Sequence, residues 1–237
     1  MTPEQLAERL KQALPVGLRS VVLYGSAAAG DHVAGESDFN ILVVAERLGT
    51  AELGALSAPA IAWAREGNRP PLLFTPRQLA SSGDAFPIEL LDMQQSRKVL
   101  FGDDPLASVT IDPAHLRLQL EREWKARLLE LRERYVLTRS KPRRVVELLT
   151  TSLSTVLVLC RATLRLYQAD VPAHKLDALR ALAQRIGVEA EVFLTVHELK
   201  TGRRKSREVA AISLFETYLA TVERIADAVD RRRHPTT

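Results

Sequence analysis

The run Leu23-Tyr24-Gly25-Ser26, followed after eleven residues by Asp38-Phe39-Asn40 and the apolar Ile41-Leu42-Val43-Val44, constrains this chain more than any other feature. Ser20 to Tyr24 is a compact β-rich run that stops at a glycine. This pattern predicts a buried strand ending in a turn. Small and turn-forming residues fill positions 25 to 35, and a second strand is predicted over 38 to 44, with polar groups only at its start. Strand side chains alternate, so Asp38 and Asn40 share a face with Cα atoms roughly 6.5 Å apart. Glycine lets a backbone turn approach a phosphate closely, its following N–H groups can face anionic oxygens, and the Ser26 hydroxyl adds a donor. Such a segment suits a triphosphate. Only hard oxygen ligands are on offer beside it, which points to Mg²⁺.

The rest of the first half predicts a small α+β unit. Thr2-Pro3-Glu4-Gln5 reads as a capping box opening a helix to Leu14. A helix is predicted over 50 to 65, a short third strand over 70 to 75, and helical segments over 76 to 79 and 87 to 99, ending at Phe101-Gly102. Asp103-Asp104-Pro105 reads as a linker, and Asp112-Pro113 as a helix start. Everything downstream predicts helix. Leu116, Leu120, Trp124, Leu128, Leu131 and Tyr135 recur at helical spacing. Two apolar stripes over 142 to 168 place that helix centrally in a bundle. Shorter helices are expected over 173 to 186 and 189 to 200, closed by Gly187 and Gly202, and a last one from Arg207 towards Arg231. The domain expectation is 1–110 for the sheet unit and 111–237 for an all-α bundle that binds substrate or a partner.

Charge divides along the same line. Residues 1–112 carry 9 basic and 14 acidic side chains, and residues 113–237 carry 24 and 15. The overall net charge of +4 is far from that of a polybasic nucleic-acid binder, and with 5% aromatic residues there is no stacking platform. Nucleic acid is therefore disfavoured as a partner. The basic groups Arg139, Lys141, Arg143 and Arg144, and Arg203, Arg204, Lys205 and Arg207, read as solvated helix junctions. One cysteine, Cys160, excludes an internal disulfide framework. No signal-like N-terminus is present, and apolar runs such as 156 to 160 are short. These features predict a cytoplasmic protein without a membrane partner. The histidines His32, His115, His174, His197 and His234 are not spaced as a ligand pair.

The Gly25-Ser26 turn with Asp38-x-Asn40 at a strand start resembles the DNA polymerase β-like nucleotidyltransferase superfamily, in particular the kanamycin nucleotidyltransferase and minimal nucleotidyltransferase types. That resemblance implies a small mixed sheet with flanking helices, followed by a helical bundle. It implies an enzyme that transfers a nucleoside monophosphate from Mg²⁺-NTP to a hydroxyl of a small molecule or protein, using one or two Mg²⁺ ions and, in the kanamycin-modifying group, a homodimer. Asp38 matches the first metal ligand, and Gly25 with Ser26 the triphosphate contact. The family pattern has a second carboxylate where this chain has Asn40, whose amide oxygen can bind one cation but brings no charge. It also has a third carboxylate on a later strand, and Pro71-Leu72-Leu73-Phe74 contains none. Glu89, or Asp92, is the candidate to approach from the next element. The alternative is a catalytically impaired nucleotide-binding or protein-interaction module that retains the fold.

Overall fold

In the computed structural model the described residues are 1–25, 27–28, 39–138, 140–168 and 170–232. The chain forms two compact units, Met1–Asp112 and Pro113–Thr237. The class is α+β.

The first unit is built on a four-stranded mixed sheet. Helix α1 (Pro3–Ala13) opens on a reciprocal cap, in which Thr2 Oγ1 accepts the Gln5 N–H and Gln5 Oε1 accepts the Thr2 N–H. Strand β1 (Leu18–Tyr24) and strand β2 (Asn40–Ala45) pair antiparallel, with Tyr24 opposite Asn40. Helix α2 (Thr50–Arg65) leads to the short strand β3 (Leu72–Phe74), which runs parallel to β2 with Leu72 opposite Leu42. Helices α3 (Pro76–Ala80) and α4 (Pro87–Gln95) precede strand β4 (Arg97–Gly102), giving the order β3-β2-β1-β4.

Period-two alternation in the strands divides two cores between the sheet faces. Val21, Leu23, Ile41 and Val43 cluster with Leu6 and Leu10 of α1 and Leu56 and Trp63 of α2. On the opposite face Val22, Leu42 and Val44 cluster with Leu79, Leu90, Met93, Leu106 and Val109. Gly102 ends β4 at φ +74°, and a Cβ there would lie 1.8 Å from the Arg19 carbonyl oxygen. Only glycine permits that approach.

Three expectations are corrected. The helix expected over 87 to 99 stops at Gln95, and residues 97 to 102 form a strand. Pairing with β1, which would otherwise expose an unpaired edge, outweighs the local pattern. The Asp103-Asp104-Pro105 segment is no free linker. Ser20 Oγ donates to the Asp103 carbonyl, Gln94 Nε2 donates to the Leu106 and Val109 carbonyls, and Leu106 and Val109 are buried. Strand β2 begins at Asn40 rather than at 38, and Asp38 lies outside the described residues.

The second unit is helical: α5 (Pro113–Thr138), α6 (Pro142–Leu164), α7 (Lys175–Ile186), α8 (Glu191–Lys200) and α9 (Ala211–Arg231). Helix α6 packs on α5, α7, α8 and α9. By length and composition α6 could span a membrane, but in this bundle its buried residues lie on both stripes, from Val145, Leu149 and Val156 to Leu153, Leu157 and Leu164. Gly187 closes α7 in the left-handed region. The last helix starts at Ala211, preceded by a single 3₁₀ turn over Ser206–Glu208. Inside the bundle the Trp124 indole N–H donates to Thr163 Oγ1 at 2.9 Å, and Ser152 Oγ lies 3.0 Å from the Tyr218 hydroxyl. Cys160 is buried beside them, its thiol pKa pushed well above the usual range by burial.

Candidate active site at the Gly25 end of the sheet

Strand pairing assembles the site. Tyr24, the last residue of β1, stands opposite Asn40 of β2 on one side and opposite Arg97 of β4 on the other. By alternation this row of three lies on the face of Val22 and Leu42, over the core that α4 covers. Polar residues therefore occupy the sheet position immediately beyond that core, all at the end where the chain turns out of β1.

The turn itself starts on glycine for a geometric reason. Gly25 has φ +82°, its N–H donates to the Ser96 carbonyl at 2.9 Å, and its carbonyl accepts the Ala28 N–H at 3.0 Å. A Cβ at this position would stand 3.2 Å from Asn40 Nδ2. The glycine thus lets the turn lie directly against the Asn40 amide. Of the sequence-predicted site residues, the structure brings Gly25 and Asn40 together, while Ser26 and Asp38 lie outside the described residues. Glu89 is exposed in the first turn of α4, and Asp92 is half-buried one turn on.

Charges flank the row on both sides. Arg97 is held by Asp104, with Nε and Nη2 2.8 and 2.7 Å from Oδ2, and it also donates to the Gln94 carbonyl. Burial pushes the Asp104 carboxyl up, but the Arg97 hydrogen bond, the Leu106 N–H and the Arg97 charge outweigh it and hold the group below the usual carboxylate range. On the other side, burial raises the Tyr24 phenol above its ordinary value, and the Arg69 charge pulls in the opposite direction. Arg69 sits between α2 and β3, where its carbonyl accepts the Trp63 indole N–H at 3.0 Å. Trp63, fully buried, also packs on Phe39 with ring centroids 5.8 Å apart. Phe39 immediately precedes Asn40, so one indole ties the start of β2 to the approach of β3.

Sequence reasoning placed Tyr24 at the strand end without giving it a role, and missed Arg97, Arg69 and Trp63 as parts of this end of the sheet. Tyr24 carried a usable signal, as the polar terminus of an apolar strand. The other three are brought here by pairing and packing between distant segments.

Among the described residues no group of three or more His, Cys, Asp and Glu could hold a metal ion. The Asn40 amide supplies one hard, neutral oxygen. A neutral oxygen suits coordination of one Mg²⁺ and does not suit bridging of two ions.

No protein-family model matches the chain, and no curated protein sequence matches it. Among solved structures it is similar to spectinomycin adenyltransferase AAD(9) from Enterococcus faecialis, determined with ATP and spectinomycin, with a TM-score of 0.58 at 15% identity over 94% of this chain and 99% of that one. At this identity the likeness establishes a fold. The chain shares the fold of that structure, here an α+β unit on a four-stranded sheet and an all-helical unit.

Proposed function

We propose that this protein is a nucleotidyltransferase that moves a nucleoside monophosphate from Mg²⁺-NTP to a hydroxyl of a small molecule. The observation that carries this reading is the apposition of the Gly25 turn and the Asn40 amide, at 3.2 Å from the position a Cβ would take. A phosphate-accepting turn and a cation-ligating strand start then serve one polyphosphate. Likeness to an adenyltransferase over nearly the whole of both chains supports ATP as the first donor to test and a small molecule rather than a protein as acceptor. In this reading residues 1–110 form the donor domain and 111–237 the acceptor-binding bundle. A buried, unpaired cysteine suits a reducing cytoplasm.

The acceptor oxygen attacks the α-phosphorus, a new O–P bond forms, the bond to the β-phosphate bridging oxygen breaks, and pyrophosphate leaves. The hydroxyl proton passes to a base. Mg²⁺, held by Asp38, Asn40 and the phosphates, would supply Lewis-acid stabilisation of the charge that develops. The chain's own part is to orient the phosphates: Gly25 with its following N–H groups and Ser26 cradle them, while Arg97, locked to Asp104, keeps the β4 side of the row rigid.

Calorimetric titration of each of the four ribonucleoside triphosphates, with Mg²⁺ and with EDTA, tests the donor site without knowledge of the acceptor. Mg²⁺-dependent binding of one triphosphate, lost in Asp38→Ala, is the expected result. Absence of binding to all four by folded protein would sink the reading. The second reading, a nucleotide-binding or interaction module impaired in transfer, is favoured by the uncharged Asn40. Asn40→Asp separates the two: a rise in Mg²⁺ affinity and turnover supports a residual active site, and no change in either supports the module.

A further inference from the structure

The Gly25 N–H does not point at a ligand, because it donates to the Ser96 carbonyl at 2.9 Å. What this glycine gives the turn is therefore direction, and Ser96 sets it. Ser96 is the single residue between helix α4 and strand β4, and its own N–H donates to the Asp92 carbonyl. The Arg97 guanidinium reaches back across it to the Gln94 carbonyl, so residues 94 to 97 form a closed loop with Ser96 inside. Both ends of that loop are anchored to one further segment. Asp104 Oδ2 accepts from Arg97 Nε and Nη2 at 2.8 and 2.7 Å, while its Oδ1 accepts the Leu106 N–H at 3.0 Å. Gln94 Nε2 donates to the Leu106 and Val109 carbonyls at 3.0 and 2.7 Å. Leu106 and Val109 are buried in the core with Val22 and Leu42, so packing fixes the anchor. The Arg97 and Asp104 side chains are only 26% and 28% exposed, which strengthens their attraction relative to a pair in open water.

From this network we infer that Asp104 and Gln94 are positioning residues of the donor site: through Arg97 they hold the Ser96 carbonyl in place and so set the direction in which the Gly25 turn leaves β1. The inference rests on the proposed role of the Gly25 turn in binding a polyphosphate. The physical argument is one of orientation. Backbone N–H groups bind a phosphate only where they converge on it, and Gly25, at φ +82°, is a pivot with more backbone freedom than any other residue type would have there. A hydrogen bond from its N–H steadies that pivot only if the acceptor is itself held. Gln94, Arg97 and Asp104 hold it. All three Arg97 guanidinium nitrogens are engaged in these bonds, so the group transmits position and does not meet the phosphates. Drawing an ion pair and an amide partly out of water costs solvation that apolar side chains would not. The return is a fixed geometry at the end of the sheet where the polar row lies. Asp104 touches no ligand in this role, and a nucleotide senses it only through Gly25.

The test compares wild type with Asp104→Asn, Arg97→Gln, the double variant and Gln94→Ala, each checked by thermal melting. Asparagine at 104 keeps one oxygen for the Leu106 N–H and turns its amide N–H groups towards the guanidinium, so it opens the clamp with little change in volume. Hydrogen exchange of the Gly25 amide, followed by NMR on selectively labelled glycine, reads the Ser96 bond without any nucleotide. Calorimetry in Mg²⁺ with ATP and adenosine, or the equivalent pair for the base that the wild type prefers, reads the site. The Gly25 amide should exchange about tenfold faster in every variant, and triphosphate affinity per folded molecule should fall by about tenfold with adenosine affinity unchanged. The double variant should lose no more than either single one, because both act through one clamp. Gln94→Ala strands two buried carbonyls, and if it fails to fold the other variants carry the same readouts. Wild-type protection of Gly25 in folded Asp104→Asn overturns the coupling while the donor site stands. Faster exchange with wild-type ATP affinity overturns the positioning role. Equal losses for ATP and adenosine also overturn it, because they would mark a general structural effect. So does a loss in Arg97→Gln far larger than in Asp104→Asn, which would make Arg97 a direct phosphate contact. No nucleotide binding by the wild type overturns the donor-site reading and this inference with it.

Discussion

The two units use polar residues in opposite ways. In the sheet unit, Asn40, Tyr24 and Arg97 line up across three strands at one end of the sheet, beyond the last apolar layer and beside a glycine turn. In the helical unit two polar pairs meet inside the core: Trp124 with Thr163, and Ser152 with Tyr218. The first arrangement gathers polar groups at the rim of the proposed donor site, with Arg97 held in place by Asp104. The second satisfies them internally, so it contributes to a unique packing and offers a ligand nothing. Half-buried polar residues at a sheet end and fully buried polar pairs in a helical core therefore carry different meaning.

That contrast can be broken by substitution, and the largest effect is expected in the bundle. Trp124→Ala removes a fully buried indole and strands the Thr163 hydroxyl, which should cost about 3–5 kcal/mol in urea unfolding. Nucleotide affinity per folded molecule should stay at the wild-type value; a change in it would break the division of roles between the units. Gly102→Ala acts on the sheet unit, because its Cβ would meet the Arg19 carbonyl oxygen at 1.8 Å in a left-handed backbone. Strand β4 must shift or detach at its end, at a cost of about 3 kcal/mol. Gly25→Ala meets a softer neighbour, the Asn40 amide at 3.2 Å, but at φ +82°. A stability loss of about 1–2 kcal/mol is expected. Triphosphate affinity should fall with it, and calorimetry showing full affinity would remove the turn from the site.

How much of this was legible in sequence follows the range of the forces involved. Strands β1 and β2 announce themselves through contiguous apolar runs around a glycine, and the Gly25 to Asn40 apposition follows from that hairpin-like unit. At strand β4 the local pattern predicts helix through Val99 because Pro87 starts a true helix and no glycine or proline separates it from Val99-Leu100-Phe101. Its conformation is set by pairing with β1, far away in sequence. The supposed linker at 103 to 105 has turn composition, yet Leu106 and Val109 beyond it fill the core under the sheet. Arg69 and Trp63 had no local signal, since the contact between residues 39 and 63 exists only once α2 packs on its face of the sheet. The bundle's stripes gave its helices, while the Trp124 to Thr163 bond depends on how α5 and α6 dock.

Smaller effects sharpen the contrast within the bundle. Tyr218→Phe deletes one hydroxyl and leaves Ser152, which also donates to the Leu149 carbonyl, still bonded. The loss should be about 1 kcal/mol in urea unfolding, because the remaining partner is not orphaned and the ring keeps its edge contact with Phe193 at 5.0 Å. A loss near that of Trp124→Ala would show that the polar pair organises the whole core.

The smallest effect is expected at the surface of α5, where Glu121 accepts from Lys125 at 2.6 Å and from Arg117 at 2.7 Å. Those hydrogen bonds, Lys125 first, pull its pKa down to about 2. A carboxylate depressed on folding adds stability that is fully present above its unfolded pKa near 4.5 and disappears as pH falls towards 2. Solvent screening at the exposed Lys125 keeps the gain small. Glu121→Gln should therefore lower the melting temperature slightly at pH 7, converge with wild type near pH 2, and lose its effect in high salt. A difference that persists at acid pH would mean that the terminal group at position 121 acts other than through the charge of its carboxylate. The surface pairs of the bundle would then belong with its core contacts.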